Sequence, residues 1–528
     1  MSRSNAALAF ALFACAWSAP AEAQRSVYAI VVGNNSAPRG EEQLAPLRYA
    51  DDDALRYYEL FRRAGRHTAL LTVLDPATQR RHAGRVPPAR PPTLAELRRS
   101  FAAFVAEMER DRERGEQPVL FVTFSGHGAQ DEQGHDYLSF LDGGLTQQIL
   151  YDELLARLPD TEVHLIIDAC NAGGVVGARG PDGVAEAEAE VVAFSDERRS
   201  SIMALRSLDR FPFVGALIAS TSGQDTHEWS RVEAGVFSHE VLSALLGGAD
   251  VNGDLRIEYS EVLAFVMAAN QAVRDPRAIP RIVVHPPASK PHALLIDVAA
   301  LEDTRFLTGS GDEVARLSLI MPDGHRLLDV HLRGSGRAVL ALPDVPGIYA
   351  RRDDQEAEIP TGSSVVQIAA LRFEPSAALA RGQLDRALRA ALFAAEFSVD
   401  YYRGVVDSQG LAAVDFSASP RLLPVALAAP AAGRAGPVDA SEPVPRWVSP
   451  ALLASSGAAL VTAAVASVVA LSAKADFDAT DQMRAAHAAR DRYEISGTIA
   501  LTAAIVGAGT GIAAWLLWPD DPAPERAR

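Results

Sequence analysis

Thr161 to Gly174 reads TEVHLIIDACNAGG. Val163, Leu165, Ile166 and Ile167 make a short apolar run with a β-branched bias. The run stops at Asp168 and passes into the turn-forming residues Asn171, Gly173 and Gly174. This pattern predicts a buried strand that delivers Cys170 to its C-terminal end, where open α/β sheets place their chemistry. Val119 to Gly128, VLFVTFSGHG, has the same shape and delivers His127 between two glycines. A thiol and an imidazole at two strand ends are the minimum for nucleophilic cysteine catalysis.

Working outward, the flanking sequence alternates between the two regular structures. Ser26 to Gly33 (SVYAIVVG) reads as a first buried strand. Leu47 to Gly65 reads as a helix, with Leu47, Ala50, Ala54, Tyr58 and Phe61 at helical spacing and Gly65 as its cap. Leu70 to Leu74 is a second strand, and Gln79 to Pro92 a basic, proline-rich loop. Thr93 caps a helix to about Arg112, with Glu96 completing a capping box. A helix near Asp152 to Leu158 precedes the Cys170 strand. Beyond it, Phe213 to Ser220 is a strand, Gly235 to Leu246 a helix, Glu261 to Val273 a helix and Ala293 to Val298 a closing strand. The alternation predicts a parallel sheet with helices on its faces. Residues 175–211, with an acidic-alanine run followed by DERRSS, read as a long exposed loop.

The chain has 528 residues, 48% of them apolar, which suggests several domains with a folded core. A formal charge of −17 argues against nonspecific binding of nucleic acid. Residues 1–23 read as a signal peptide. Arg3 supplies its charge, Ala6 to Trp17 its apolar run and Ala21-Glu22-Ala23 its cleavage site. A competing reading takes Leu12 to Cys15 as a lipobox; either way the chain is expected to be exported. Cys15 and Cys170 are the only cysteines. Loss of Cys15 with the signal leaves one thiol with no second cysteine in an oxidising compartment. That marks Cys170 as reactive rather than structural.

Residues 26 to about 297 resemble the caspase-like cysteine peptidases of bacteria, the orthocaspase and metacaspase relatives. The resemblance rests on VVGNN, Leu47-x-x-Ala50-x-x-Asp53-Ala54, SGHG at Ser125 to Gly128 and DACNAGG at Asp168 to Gly174. It extends to IASTSGQDTHEW at Ile218 to Trp229 and GVFSHEVLSALLGGAD at Gly235 to Asp250. It implies a caspase-like, mostly parallel sheet flanked by helices over residues 24–298, acting on protein or peptide substrates and requiring no cofactor. Cys170 would then be the nucleophile and His127 the acid–base partner. Backbone N–H groups of Gly128 and Cys170 would form the oxyanion hole. Asp168 would line a pocket for a basic P1 side chain, since a carboxylate pairs naturally with arginine or lysine. Asp53 and Asp225 are further substrate-binding candidates, and family members often cut themselves in the interval occupied by the long loop.

Residues 250–261 resemble an EF-hand calcium loop. Asp250, Asn252, Asp254, Arg256, Glu258 and Glu261 fall at positions 1, 3, 5, 7, 9 and 12. Position 6 should be glycine and is Leu255, so the loop reads either as a calcium site or as a turn scaffold.

Residues 299–375 alternate in short runs split by Pro-Asp-Gly, Gly-Ser-Gly and Pro-Gly turns, which predicts a small, sandwich-like all-β module. Residues 376–415 carry an amphipathic helical segment, Ala377 to Val406. Residues 416–449 form an Ala/Pro-rich linker. Within 450–519, Ala451 to Ala473 and Ile495 to Trp518 are uncharged, each about 35 Å long as a helix. Gly507-x-x-x-Gly511 and the terminal Trp447, Trp515 and Trp518 suit a transmembrane hairpin, with 520–528 as a tail. The alternative is a buried soluble hairpin. Two functional classes remain from the sequence: a membrane-anchored peptidase, or a non-catalytic sensor or scaffold that keeps the fold for binding.

Overall fold

The computed structural model describes residues 24–38, 44–82, 87–170, 172–176, 208, 210–220, 228–229, 233–273, 281–376, 391–417 and 423. The elements run β1 (Arg25–Asn34), α1 (Ala50–Ala64), β2 (His67–Thr72), α2 (Pro76–Arg81), β3 (Ala89–Arg90) and α3 (Leu94–Glu113). There follow β4 (Gln117–Gly126), β5 (Gly128–Gln130), β6 (Asp136–Phe140), β7 (Gly143–Thr146), β8 (Glu162–Asp168) and α4 (Ala172–Val176). Then come β9 (Val214–Ser220), β10 (Glu228–Trp229), β11 (Ala234–Gly235), α5 (Val236–Ser243), β12 (Arg256–Glu258), α6 (Tyr259–Asn270) and β13 (Arg281–His285).

Seven of these strands form one sheet in the order β13-β9-β8-β4-β1-β2-β3. Every neighbouring pair is parallel except β13 with β9. Both faces of the sheet are covered, which is why its strands are apolar on both sides. Along β1, Val27, Ala29 and Val31 feed one core with α1, α5 and α6, while Tyr28, Ile30 and Val32 feed the other with α3. The carboxyl ends lie level: Gly33 opposes Ser125, Asn34 opposes Gly126 and Ser125 opposes Asp168.

Several boundaries differ from the sequence reading, each for a visible reason. α1 begins at Ala50 rather than Leu47. Glu228 Oε1 accepts the N–H groups of Arg48 and Tyr49 at 2.8 Å, and Asn35 Oδ1 accepts that of Ala50 at 2.9 Å. β2 lies at His67–Thr72 because its register pairs Tyr28 with His67. The expected loop at 79–92 contains the end of α2 and all of β3; Asp75 Oδ1 caps α2 by accepting from Ala77 and Thr78. Thr93 does cap α3, accepting from the Glu96 N–H at 3.1 Å, but the Glu96 carboxylate pairs with Arg90 and Arg99. Leu294–Asp297 does not close the main sheet. As β14 it pairs with β12, and the closing strand is the antiparallel β13.

The later chain supplies β15 (Thr304–Ser310), α7 (Gly311–Val314), β16 (Leu317–Ile320), β17 (Arg326–Val330), β18 (Arg337–Pro343), β19 (Tyr349–Arg352), β20 (Gln355–Glu358), β21 (Val365–Gln367), β22 (Glu374–Pro375) and α8 (Val399–Gln409). The strands form a three-stranded sheet, β18-β15-β21, and a five-stranded sheet, β17-β16-β19-β20-β22. Both contribute to the same apolar core as α1, α5 and α6. Contact with the first domain is close: at Gly247, φ +106°, a Cβ would meet the Val339 carbonyl oxygen at 2.1 Å. α8 is shorter than the helical segment expected over 377–406, of which 377–390 lie outside the described residues. Ser398 caps its start, and Gly410 ends it at φ 66°. Residues 1–23, read above as a signal peptide, most of the long loop and of the linker, and the two apolar stretches also lie outside the described residues. No helix among the described residues is long and apolar enough to cross a membrane.

Candidate active site

β4 and β8 lie side by side, so the residues just past their ends are neighbours. His127 follows Gly126, the last residue of β4. Its carbonyl accepts the Ser139 N–H at 2.9 Å, and Asn34 Nδ2 donates to the Ser139 carbonyl at 2.8 Å. The imidazole is 9% exposed, and its Nε2 has no hydrogen-bond partner among the described residues. Burial holds the imidazole below its ordinary 6.5; the Ala45 carbonyl, which favours the protonated ring, is the smaller effect.

Cys170, two residues beyond β8, is a thiol rather than half of a disulfide, and is 8% exposed. Its backbone is packed directly on Gly128: a Cβ at residue 128 would lie 1.7 Å from the Cys170 carbonyl oxygen. Only glycine permits that approach. The contact joins the SGHG turn to the DAC turn. His164, the histidine on β8, faces the core, where its Nδ1 meets the Tyr259 hydroxyl at 2.6 Å and its Nε2 meets Glu162 at 2.9 Å. It belongs to the core rather than the site.

Beside this pair lies an acidic niche. Asp168 Oδ2 accepts the Ser238 hydroxyl at 2.7 Å and the Ser238 N–H at 3.2 Å. Asp53, buried on α1, accepts the Ser125 hydroxyl at 2.9 Å and the Gly235 N–H at 3.1 Å through Oδ2. Both carboxylates face Gly235, where a Cβ would meet Asp168 Oδ2 at 2.5 Å and Asp53 Oδ2 at 3.0 Å. Burial raises the pKa of each. The Asp168 charge raises that of Asp53 further, while the Arg56 guanidinium works against the rise. Glu228, also raised by burial, feels the Asp168 charge as well. Three carboxylates in one partly dry region make a poor place for an anion and a good one for a cation.

The loop 250–261 is tightly wound. Asp250 Oδ1 accepts from the N–H groups of Gly253 and Asp254, and Oδ2 from that of Leu255. Glu261 Oε1 accepts from Val251 and Oε2 from Glu258. Asn252 Oδ1 and Asp254 Oδ1 accept from Asp254 and Arg256. Glu258 Oε2 meets His292 Nδ1 at 2.9 Å. Leu255 adopts φ 64° where the pattern has glycine, a strain of about 1–2 kcal/mol. Its side chain is fully buried, and that apolar burial offsets a cost of this size. Burial pushes Asp250 up to about 7 and Glu261 well above its ordinary range.

Other site expectations distribute unevenly. Asp225 lies outside the described residues, as do Arg198 and Arg199, the arginines of the DERRSS run in the long loop. A polar cleft lined by Arg25, His67, Asp111, Arg114, Glu162 and Lys290 opens at the amino ends of β1, β4 and β8, opposite Cys170 and His127. Sequence reasoning missed Ala45, Ser238 and Glu228. Ser238 lies inside the quoted GVFSHE stretch, so it was within reach. Ala45 acts through a carbonyl, which leaves no signature in residue type.

The fold and site define an α/β domain with a thiol and an imidazole at the carboxyl edge of adjacent parallel strands. Residues 26–287 match the family model described as Caspase domain. This domain belongs to the caspase-like cysteine peptidases. No curated protein matches the chain.

Proposed function

We propose that the domain is a cysteine endopeptidase that cleaves after arginine or lysine. Cys170 Sγ attacks the scissile carbonyl carbon, giving its proton to His127. The N–H groups of Gly128 and Cys170 receive the developing oxyanion. The C–N bond then breaks, His127 returns the proton to the leaving amine, and water hydrolyses the thioester. Asp168, held by Ser238, receives the P1 cation, with Asp53 and Glu228 adding negative potential behind it. The observation that carries this reading is the contact of Gly128 with the Cys170 carbonyl, which brings the two chemical turns together. The His127 Nε2, with no partner among the described residues, adds to it.

The test is a panel of peptides varied at P1, assayed with wild type and Cys170→Ala. Turnover of Arg and Lys peptides by wild type alone supports the reading. A wild type that neither turns over any peptide nor reacts with a thiol-directed substrate analogue would leave the scaffold alternative. For location, we propose a signal-cleaved chain anchored by residues 451–473 and 495–518, with the catalytic domain on the non-cytoplasmic side. The connecting loop carries Lys474, Arg484, Arg490 and Arg492, in keeping with the positive-inside rule. Labelling a cysteine placed in that loop from outside intact cells would contradict this topology.

A further inference from the structure

We propose that His82, Asp323 and His325 form a site for a divalent transition-metal ion of the zinc type, fastening the caspase domain to the β-rich module. His82 sits directly after α2 in the first domain. Asp323 and His325 flank Gly324 in the turn between β16 and β17. One donor atom from each of the three lies within 4.8 Å of the others, and the two imidazole centroids are 5.7 Å apart. His82 is far in sequence from the turn that carries the other two, so only the fold assembles the three.

His325 is 7% exposed, and its Nδ1 pairs with Asp323 Oδ1 at 2.5 Å, so the turn already holds the ring and the carboxylate side by side. Two imidazoles and a carboxylate suit zinc and its neighbours rather than calcium or magnesium, and leave a fourth position for water. With bonds of about 2.0–2.1 Å, tetrahedral ligand atoms stand about 3.3 Å apart, so atoms now within 4.8 Å of one another would draw closer on binding.

Ligation uses the neutral imidazole, so zinc affinity is expected to fall as the solution is acidified. Arg56 and Arg81 are the cations nearest the two rings. The two guanidiniums would repel an ion, but Arg81 is paired with Asp52 and, at 3.2 Å, with Glu233. That pairing links the site to the acidic niche. Glu233 directly precedes β11, whose Gly235 N–H holds Asp53. An ion at His82 would thus brace the segment that backs Asp168.

The test uses the full chain carrying Cys170→Ala, so that no thiol can ligate, stripped with a chelator and titrated with zinc chloride. One ion per chain is expected, with a rise in melting temperature that grows with zinc concentration. Cobalt should give visible absorption bands at the same stoichiometry. His82→Ala is expected to weaken zinc binding by on the order of 100-fold and to remove the cobalt bands, with Asp323→Asn weakening it by about tenfold or more. Both positions are less buried than His325, so their variants should fold; unchanged melting without metal checks this. Zinc affinity unaltered in both variants, or no zinc-dependent stabilisation of the parent, would overturn the site.

Discussion

A Cβ added to Gly128 would lie 1.7 Å from the carbonyl oxygen of Cys170. The two proposed oxyanion donors thus belong to backbones in direct contact, and no side chain fits between them. Gly128→Ala must push the turns apart. The expected loss in kcat/KM is on the order of 100-fold or more, the size seen when an oxyanion donor is displaced. Activity close to wild type in a folded Gly128→Ala protein would show that the turns need not touch.

Asp168 and Ser238 give a second expectation. Asp168→Asn keeps the Ser238 hydrogen bond but removes the charge, so hydrolysis after Arg and Lys should fall by about tenfold or more relative to neutral P1 residues. Ser238→Ala should raise KM for the same substrates more than it lowers kcat. A P1 panel reads both, and a preference unchanged in Asp168→Asn would remove Asp168 from the pocket.

Burial holds His127 below its ordinary 6.5. A histidine lowered in the fold binds fewer protons there than when unfolded, between its folded pKa and 6.5. Stability contributed by the neutral ring is therefore present above 6.5 and lost as pH falls through that window. Denaturant melts from about pH 7.5 to 5 should show wild type losing stability relative to His127→Gln as the solution is acidified. A difference that stays constant with pH would show a solvated ring.

The loop 250–261 carries the opposite sign. Asp250, pushed up to about 7, binds more protons folded than unfolded above 3.8. Stability is full below 3.8 and lost as pH rises through about 7. We propose that calcium relieves this burden. Millimolar calcium should raise the melting temperature at about pH 8, and Asp250→Ala with Glu261→Ala should abolish the rise. Identical wild-type melting with and without calcium reduces the loop to a turn.

Self-cleavage tests the niche from another direction. A pocket built on Asp168 would take Arg198 or Arg199 of the long loop, and exposed polar loops are where nicking concentrates. Wild type should split near residue 199 while Cys170→Ala and Asp168→Ala stay whole. Cleavage after an acidic residue, or equal cleavage in Cys170→Ala, would contradict both the pocket and the processing.

The sequence by itself determined the strands that matter. β4 and β8 are buried on both faces, so each is a continuous apolar run with a turn at its end, and Cys170 and His127 could be read directly from that pattern. Asp168 and Gly128 followed from their places in the same two stretches. The boundaries of α1 and β2 did not follow. Glu228 and the register with Tyr28 set them, and both are contacts from distant parts of the chain. The edge strand β13 was missed because a short run at a sheet edge carries little periodic signal. Only the tertiary structure placed Ser238 on Asp168, the Ala45 carbonyl beside His127, and His82 beside His325. Those relationships join segments that sequence periodicity treats as independent. Periodicity records which face of an element is apolar, whereas a polar contact depends on how two elements are packed together.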